Sequence, residues 1–201
     1  GQLNLEAPIE SVWPEFAAGG KGHITVGDSL AHVAGVPGLE RSISVEEISD
    51  PILMAQYVAA QHPITPIGIP SYHAMTYGWI ASELVRRVDG RSIGTFVREE
   101  IAGPLGAEMH VGLPPELEPR VARLMAHPIP KLSPEVAKIM METSGPGTKG
   151  AAALSLNGAF GQGAFNREDV HQSQLPGANG ISNARSLARI YAALVSDVDG
   201  V

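Results

Sequence analysis

Cysteine is absent from the 201 residues, so the chain can form no disulfide, no thiolate nucleophile and no cysteine metal site; its stability has to come from packing. Positive charge is scarce as well. Lys and Arg number 14 against 21 Asp and Glu, a formal charge of -7 with no basic cluster, which argues against a nucleic-acid or anionic-membrane surface because either needs a concentrated positive field. A small molecule is the expected partner. No apolar run approaches the roughly 20 residues that cross a bilayer, and the amino terminus lacks the basic-then-apolar order of a secretory leader. The chain reads as soluble, with a cytoplasmic setting favoured and the compartment otherwise open. An initiator methionine is missing too: the sequence starts at Gly1-Gln2-Leu3 and stops on the turn-like Asp199-Gly200-Val201, so part of a longer polypeptide is expected.

With 44% hydrophobic residues the chain can bury one large core or two small ones, and helix signals outnumber strand signals. Thr25-Val26-Gly27-Asp28 and Ser44-Val45-Glu46-Glu47 read as capping boxes, in which a hydroxyl and a carboxylate each accept an orphan amide. The first predicts a short helix closed by Gly35, with Leu30 and Val33 inward. Asp50-Pro51 supplies an N-cap and first helical residue for a helix near 51–61 carrying Ile52, Ala55 and Ala59. Pro63, Pro66 and Pro70 then remove amide donors and push their predecessors into extended geometry, predicting an irregular approach to Tyr72 of the kind that frames sites.

The helix that follows, through Arg87, sets Tyr77, Ile80, Ala81, Leu84 and Val88 on one face and Glu83, Arg86 and Arg87 toward solvent, with Gly90 as a left-handed cap. Ser92 caps another with Ile93, Phe96, Val97 and Ile101 inward, closed by Gly103-Pro104, ahead of a strand-like Met109–Leu113. Ser133-Pro134 starts a helix with Val136, Ile139 and Met140 on one side. Ser144 to Ala164 reads as a long loop covering something, or as disorder. The last helix begins near Ser182 or Asn183, after a turn at Asn179-Gly180, and is expected to bury Leu187, Ile190, Tyr191 and Leu194. Any domain boundary would fall around 113–134 or 144–165.

The stretch richest in chemistry is Tyr72-His73-Ala74 at the mouth of that amphipathic helix. A tyrosine on a helix-opening turn stands where peptide dipoles favour an anionic phenolate, so it can act as a base; the plain alternative is a packing residue with a satisfied hydroxyl. Other constellations point nowhere. The seven histidines include no pair at helical i, i+4 spacing and no His-Glu-x-x-His, so no metal is expected. Gly158-Ala159-Phe160-Gly161-Gln162-Gly163 fits neither a P-loop nor a dinucleotide fingerprint, and no Gly-x-Ser-x-Gly elbow occurs. Glu46/Glu47, Glu99/Glu100 and Glu116/Glu118 belong on helix surface or solvated loop rather than in a glycosidase pair.

Several blocks, in order, carry a resemblance. They are Gly1-Gln2-Leu3-Asn4-Leu5-Glu6-Ala7-Pro8, Trp13-Pro14-Glu15-Phe16, Ile24-Thr25-Val26, His32-Val33-Ala34-Gly35-Val36-Pro37, Tyr72 through Trp79, and Pro176-Gly177-Ala178-Asn179-Gly180-Ile181-Ser182 through Ala188. Together they resemble the serine β-lactamase-related family: class C β-lactamases, D-Ala-D-Ala carboxypeptidases and the esterases on the same fold, with the esterase branch nearest. Family members carry Ser-x-x-Lys, then Tyr-x-Asn or a variant, then Lys-Thr-Gly or His-x-Gly on an edge strand. Only the second has a counterpart here. Ala18, Pro128, Glu135 and Pro146 stand three residues before the four lysines, so Ser-x-x-Lys is absent. His110-Val111-Gly112 precedes the 176–188 block, whereas the family's third motif follows it, and reads as chance.

The resemblance implies an α+β, β-lactamase/transpeptidase-like fold, of which residues 1–201 form the mainly helical middle with little sheet, the first and third motifs lying outside. It implies a serine hydrolase working through an acyl-enzyme on a small-molecule ester or amide, most simply a carboxylesterase. Tyr72 would be general base, and His73 and Ala74 would border the substrate. Ala74 stands where β-lactamases and peptidases usually have asparagine, which weakens the β-lactamase or D-Ala-D-Ala carboxypeptidase alternative and suits an esterase. His73 could line the pocket, face solvent or cap the helix; His32 reads as structural and Trp79 as core. No cofactor is implied, oligomeric state is open, and the 201 residues alone are expected to be inactive. The reading from another class is a helical binding module without chemistry.

Overall fold

The computed structural model describes residues 2–125, 131–160 and 163–201. Gly1 of the first resembling block, His127, Pro128 and Pro130, and Gly161-Gln162 of the glycine run lie outside the described residues.

Both capping boxes form. The Thr25 hydroxyl accepts the Asp28 N–H while the Asp28 carboxylate accepts the Thr25 N–H, each at 2.9 Å, opening α1 (Val26–Leu30). Ser44 and Glu47 do the same for α2 (Val45–Ile48), and the Asp50 carboxylate accepts from Ile52 and Leu53 at the head of α3 (Pro51–Ala60). α4 (Thr76–Asp89) closes on Gly90 at φ 88°. α5 (Ile93–Phe96) starts on Ser92 and widens into a π-helical turn, Val97–Ala102. Beyond it come β1 (Met109–His110), α6 (Pro134–Ser144), α7 (Lys149–Ser155), α8 (Glu168–Gln172), β2 (Ile181–Ser182) and α9 (Ala184–Ala193). β1 and β2 are antiparallel, Met109 opposite Ser182 and His110 opposite Ile181. Helix therefore dominates, and the sheet among the described residues is this one short pair.

The core gathers where α3 packs along α4. Trp13 and Phe16, ring centroids 4.9 Å apart, meet Ile9, Val36, Met54, Val58, Trp79, Ile80 and Leu84 there. Leu156 and Leu175 join the same cluster, so both halves of the chain share it. Trp79 is core as expected, but its indole N–H finds no acceptor among the described residues, a burial that costs about 1–3 kcal/mol.

Several expectations need correction. α1 stops at Leu30 rather than running to Gly35, because His32 already takes the left-handed conformation at φ 62°; Gly35, at φ 79°, makes a second such turn. Glu83 does not face solvent. Its side chain is 5% exposed and receives Arg86 at 2.7 Å and Arg87 at 2.6 Å, so only the arginines reach water while the carboxylate sits against the core. The segment read as loop or disorder contains α7, capped by Thr148 and burying Ala151, Ala152 and Ala153; short alanines let it lie close on its neighbours, so close that a methyl group on Gly38 would strike the Ala152 backbone. The turn expected at Asn179-Gly180 lies at Pro176–Ala178, and Asn179 is its buried pin, donating to Val170 and Ser173 carbonyls and accepting from Leu175 N–H. Ile93, Phe96, Val97 and Ile101 are half-buried rather than fully inward. α9 forms on its Asn183 cap, yet Leu187, Tyr191 and Leu194 are exposed, and α6 likewise exposes Val136, Ile139 and Met140. The described residues supply no surface to cover those two faces.

Candidate functional site

Tyr72 owes its position to the segment 32–36 rather than to a helix. That segment runs beside the proline-interrupted approach and bonds to it repeatedly. Ser71 N–H donates to the His32 carbonyl at 3.0 Å and Gly68 N–H to that of Val33 at 2.9 Å. Ile64 and Thr65 N–H both reach the Gly35 carbonyl, and the Thr76 hydroxyl reaches that of Val36 at 2.8 Å. Backbone that proline removes from regular structure is thus satisfied by a second irregular strand. At the end of this ladder Tyr72 is 66% exposed, and its hydroxyl has no hydrogen-bond partner among the described residues.

Its relation to α4 differs from the sequence reading. The N-cap is Met75, so Tyr72 lies beyond the first turn, where the helix dipole has little hold. Its neighbours are aromatic instead. The His32 ring lies 5.1 Å from the Tyr72 ring and 4.9 Å from Tyr77, centroid to centroid.

His73 is a correction. It neither faces solvent, caps the helix nor offers its ring to a ligand: it is fully buried and both ring nitrogens are engaged. Val36 N–H donates to Nε2 at 3.2 Å, which leaves the proton on Nδ1, bonded to the Ser71 carbonyl. Burial pushes its pKa down to about 4, against the opposing pull of the Ser71 carbonyl. Ala74 is half-buried and packs on the core, with its carbonyl close to Gly177. Of the three adjacent residues singled out, then, Tyr72 alone presents a functional group to solvent.

Gly78 and Gly177 bring the first turn of α4 against the 176–178 turn so closely that a methyl group on either would strike the other strand's backbone. Two of the resembling blocks thereby meet in space.

In the sequence Lys21 is a lysine without the serine of a Ser-x-x-Lys motif. It is fully buried beneath the 18–21 turn, with the ammonium donating to the carbonyls of Ala18, Ala59 and Gln61. Burial draws its pKa down to about 8, while three carbonyl oxygens and the C-terminal end of α3 favour the charged form. It ties the end of α3 to the first turns of the chain and does not bond to Tyr72. His110 stands in β1 across from Ile181, beside a cleft of about 210 Å³ that Glu108, Arg120 and Asn183 also line. A larger apolar cleft of about 690 Å³ is walled by Leu124, Met125, Leu154, Phe160 and Phe165. Tyr72 lines neither.

The chain matches the Beta-lactamase family over residues 1–199. It is 33% identical to the esterase/beta-lactamase LipL of Mycobacterium tuberculosis, covering 100% of this chain and 47% of that protein. EstA from Arthrobacter nitroguajacolicus superposes with a TM-score of 0.80 at 32% identity, covering 100% of this chain and 52% of EstA. A family VIII carboxylesterase does so with a TM-score of 0.74 at 32% identity, covering 96% of this chain and 49% of the carboxylesterase. The chain spans about half the length of these relatives. A family match over nearly every residue, on a shared β-lactamase/transpeptidase-like fold of which this is a mainly helical region, shows that the chain belongs to the β-lactamase family.

Proposed function

We propose that the protein containing this chain is a serine hydrolase of the carboxylesterase kind, and that Tyr72 is its general base. The observation that carries the reading is the placement of one phenol, exposed and without a hydrogen-bond partner among the described residues, at the end of a backbone ladder that fixes its neighbours. A residue kept only for packing would be expected to bury its ring and satisfy its hydroxyl. Support also comes from LipL, named an esterase/beta-lactamase, and from the family VIII carboxylesterase.

In this reading residues 1–201 are the central, mostly helical part of the catalytic domain. The nucleophilic serine and its lysine come from a Ser-x-x-Lys segment outside these residues, as do the strands that hold the oxyanion. The Tyr72 phenolate takes the serine proton as the alkoxide attacks the ester carbonyl. It gives that proton to the departing alkoxide, then takes one from the attacking water and passes it to the serine oxygen as the acyl-serine bond breaks, which restores the serine and the phenolate. Ala74 offers a methyl group where an amide would be needed to hold a β-lactam or peptide, which favours esters. Without the serine, the 201 residues by themselves are inactive.

The test is turnover of a chromogenic short-chain ester by the full-length protein. Tyr72→Phe is expected to lower kcat by about 10²–10⁴ with little change in thermal midpoint, the usual contribution of a positioned acid-base group. Unchanged turnover in this variant removes Tyr72 from the chemistry.

A further inference from the structure

We propose that His32 is a positioning residue for the reaction, the group that sets where the Tyr72 phenol stands; the proposal rests on the reading of Tyr72 as base. Its starting point is a backbone outlier. His32 holds φ at 62°, a region uncommon for residues that carry a side chain, although histidine enters it more readily than most, and one that persists where surrounding structure over-determines it.

What the conformation achieves is visible in its contacts. It turns the His32 carbonyl and the His32 ring toward the same neighbouring stretch. The carbonyl accepts the Ser71 N–H at 3.0 Å, and Nδ1 accepts the His73 N–H at 3.2 Å. One residue thus holds the chain neighbour on either side of Tyr72. Because Nδ1 accepts, the neutral ring carries its proton on Nε2. The ring itself lies against the Tyr72 ring, 5.1 Å between centroids at an interplanar angle of 55°, and against Tyr77 at 4.9 Å. Such tilted pairs are favoured arrangements.

The His73 ring, bonded to Ser71 and Val36, braces the same backbone, but His32 both bonds that backbone and packs on the Tyr72 ring. Tyr72 lies outside α4, follows Pro70 closely and is largely solvent-exposed, so neither helix hydrogen bonds nor core packing restrict it. A base contributes only when it stands within hydrogen-bond reach of the proton it moves, and displacements of about 1 Å can cost about 100-fold in rate. His32 therefore governs kcat through Tyr72 without touching substrate.

The test is a double-mutant cycle in the full-length protein, read as kcat and KM for the same chromogenic ester. His32→Gly accepts the left-handed backbone but removes both ring and acceptor; it is expected to lower kcat by about 10–100-fold with KM little changed. His32→Asn tolerates the same backbone and returns an oxygen acceptor near the place of Nδ1, and is expected to recover most of that loss. In a Tyr72→Phe background neither substitution should lower activity further, since there is no longer a base to misplace. An equal fractional loss in both backgrounds, or wild-type kcat in His32→Gly, overturns the proposal. Should His32→Gly fail to fold, His32→Asn in the two backgrounds carries the test: it predicts a severalfold loss with Tyr72 and none with Phe. Failure of the base reading is distinct, because it shows as full activity in Tyr72→Phe alone.

Discussion

His73 illustrates how a single residue can be visible in a sequence and still be misjudged. Its position beside Tyr72 suggested contact with substrate, yet the ring is a structural bracket, bonded to Val36 on one nitrogen and Ser71 on the other. Protonation would add a donor at Nε2, opposite the Val36 N–H, inside a site with no exposure. The linkage has a definite sign. The folded pKa, about 4, lies below the ordinary value of 6.5, so the unfolded chain binds the proton first and stability falls as pH drops through that window. The full effect is about 3 kcal/mol at roughly 1.4 kcal/mol per pH unit. Urea unfolding at pH 7 and at pH 4.5 should show most of it, and His73→Gln should flatten the slope between about pH 5.5 and 6.5, where ordinary carboxylates are almost fully ionised; an unchanged slope would locate the acid sensitivity elsewhere. The irregular approach to Tyr72 was legible, because Pro63, Pro66 and Pro70 stand in the sequence itself. The contacts of His32 and Lys21 were not, since most of their partners stand dozens of residues away and no spacing rule reports a contact made by a buried ammonium or a left-handed turn.

At the level of elements, the signals that succeeded were local and chemical. The Thr25 and Ser44 capping boxes, the Asp50-Pro51 start and the Gly90 stop all appear where hydroxyls, carboxylates and glycine predicted them. Signals that depended on an element's surroundings fared worse. α7 was missed because its alanines and glycines resemble loop composition, while its helix is stabilised by what it packs on. Glu83 was placed outward because charge usually is; here two arginines neutralise it from the solvent side. The approach of α4 to the 176–178 turn belongs to the same class and has a measurable consequence. Replacing a mid-helix glycine by alanine ordinarily stabilises by about 1 kcal/mol. At Gly78 the added methyl would meet the Gly177 backbone, an overpacking that costs about 1–3 kcal/mol. Gly78→Ala is therefore expected to lower the thermal midpoint, and a raised midpoint would mean that the two turns separate without cost.

For the molecule as a whole, the family and the mainly helical architecture were both legible, because blocks spread along the chain kept their order and because helix starts dominate the sequence. The burial of α9 was not legible. Its Leu187, Tyr191 and Leu194 follow a helical stripe that normally marks a core-facing side, yet the described residues leave it open. A stripe says that a face wants covering, and it is silent on which segment does so. The opposite situation holds between the chain's two halves. Leu113 N–H bonds to the His171 carbonyl, Gly94 N–H to Gln174, Asn157 to the Leu39 carbonyl, and β1 pairs with β2. Every one of these ties bypasses the exposed stretch at Arg123. Continuity of the peptide there is consequently dispensable once folding is complete: a protease site engineered at Arg123 should give a nicked species that separates into two bands under denaturing electrophoresis but travels as one particle on gel filtration.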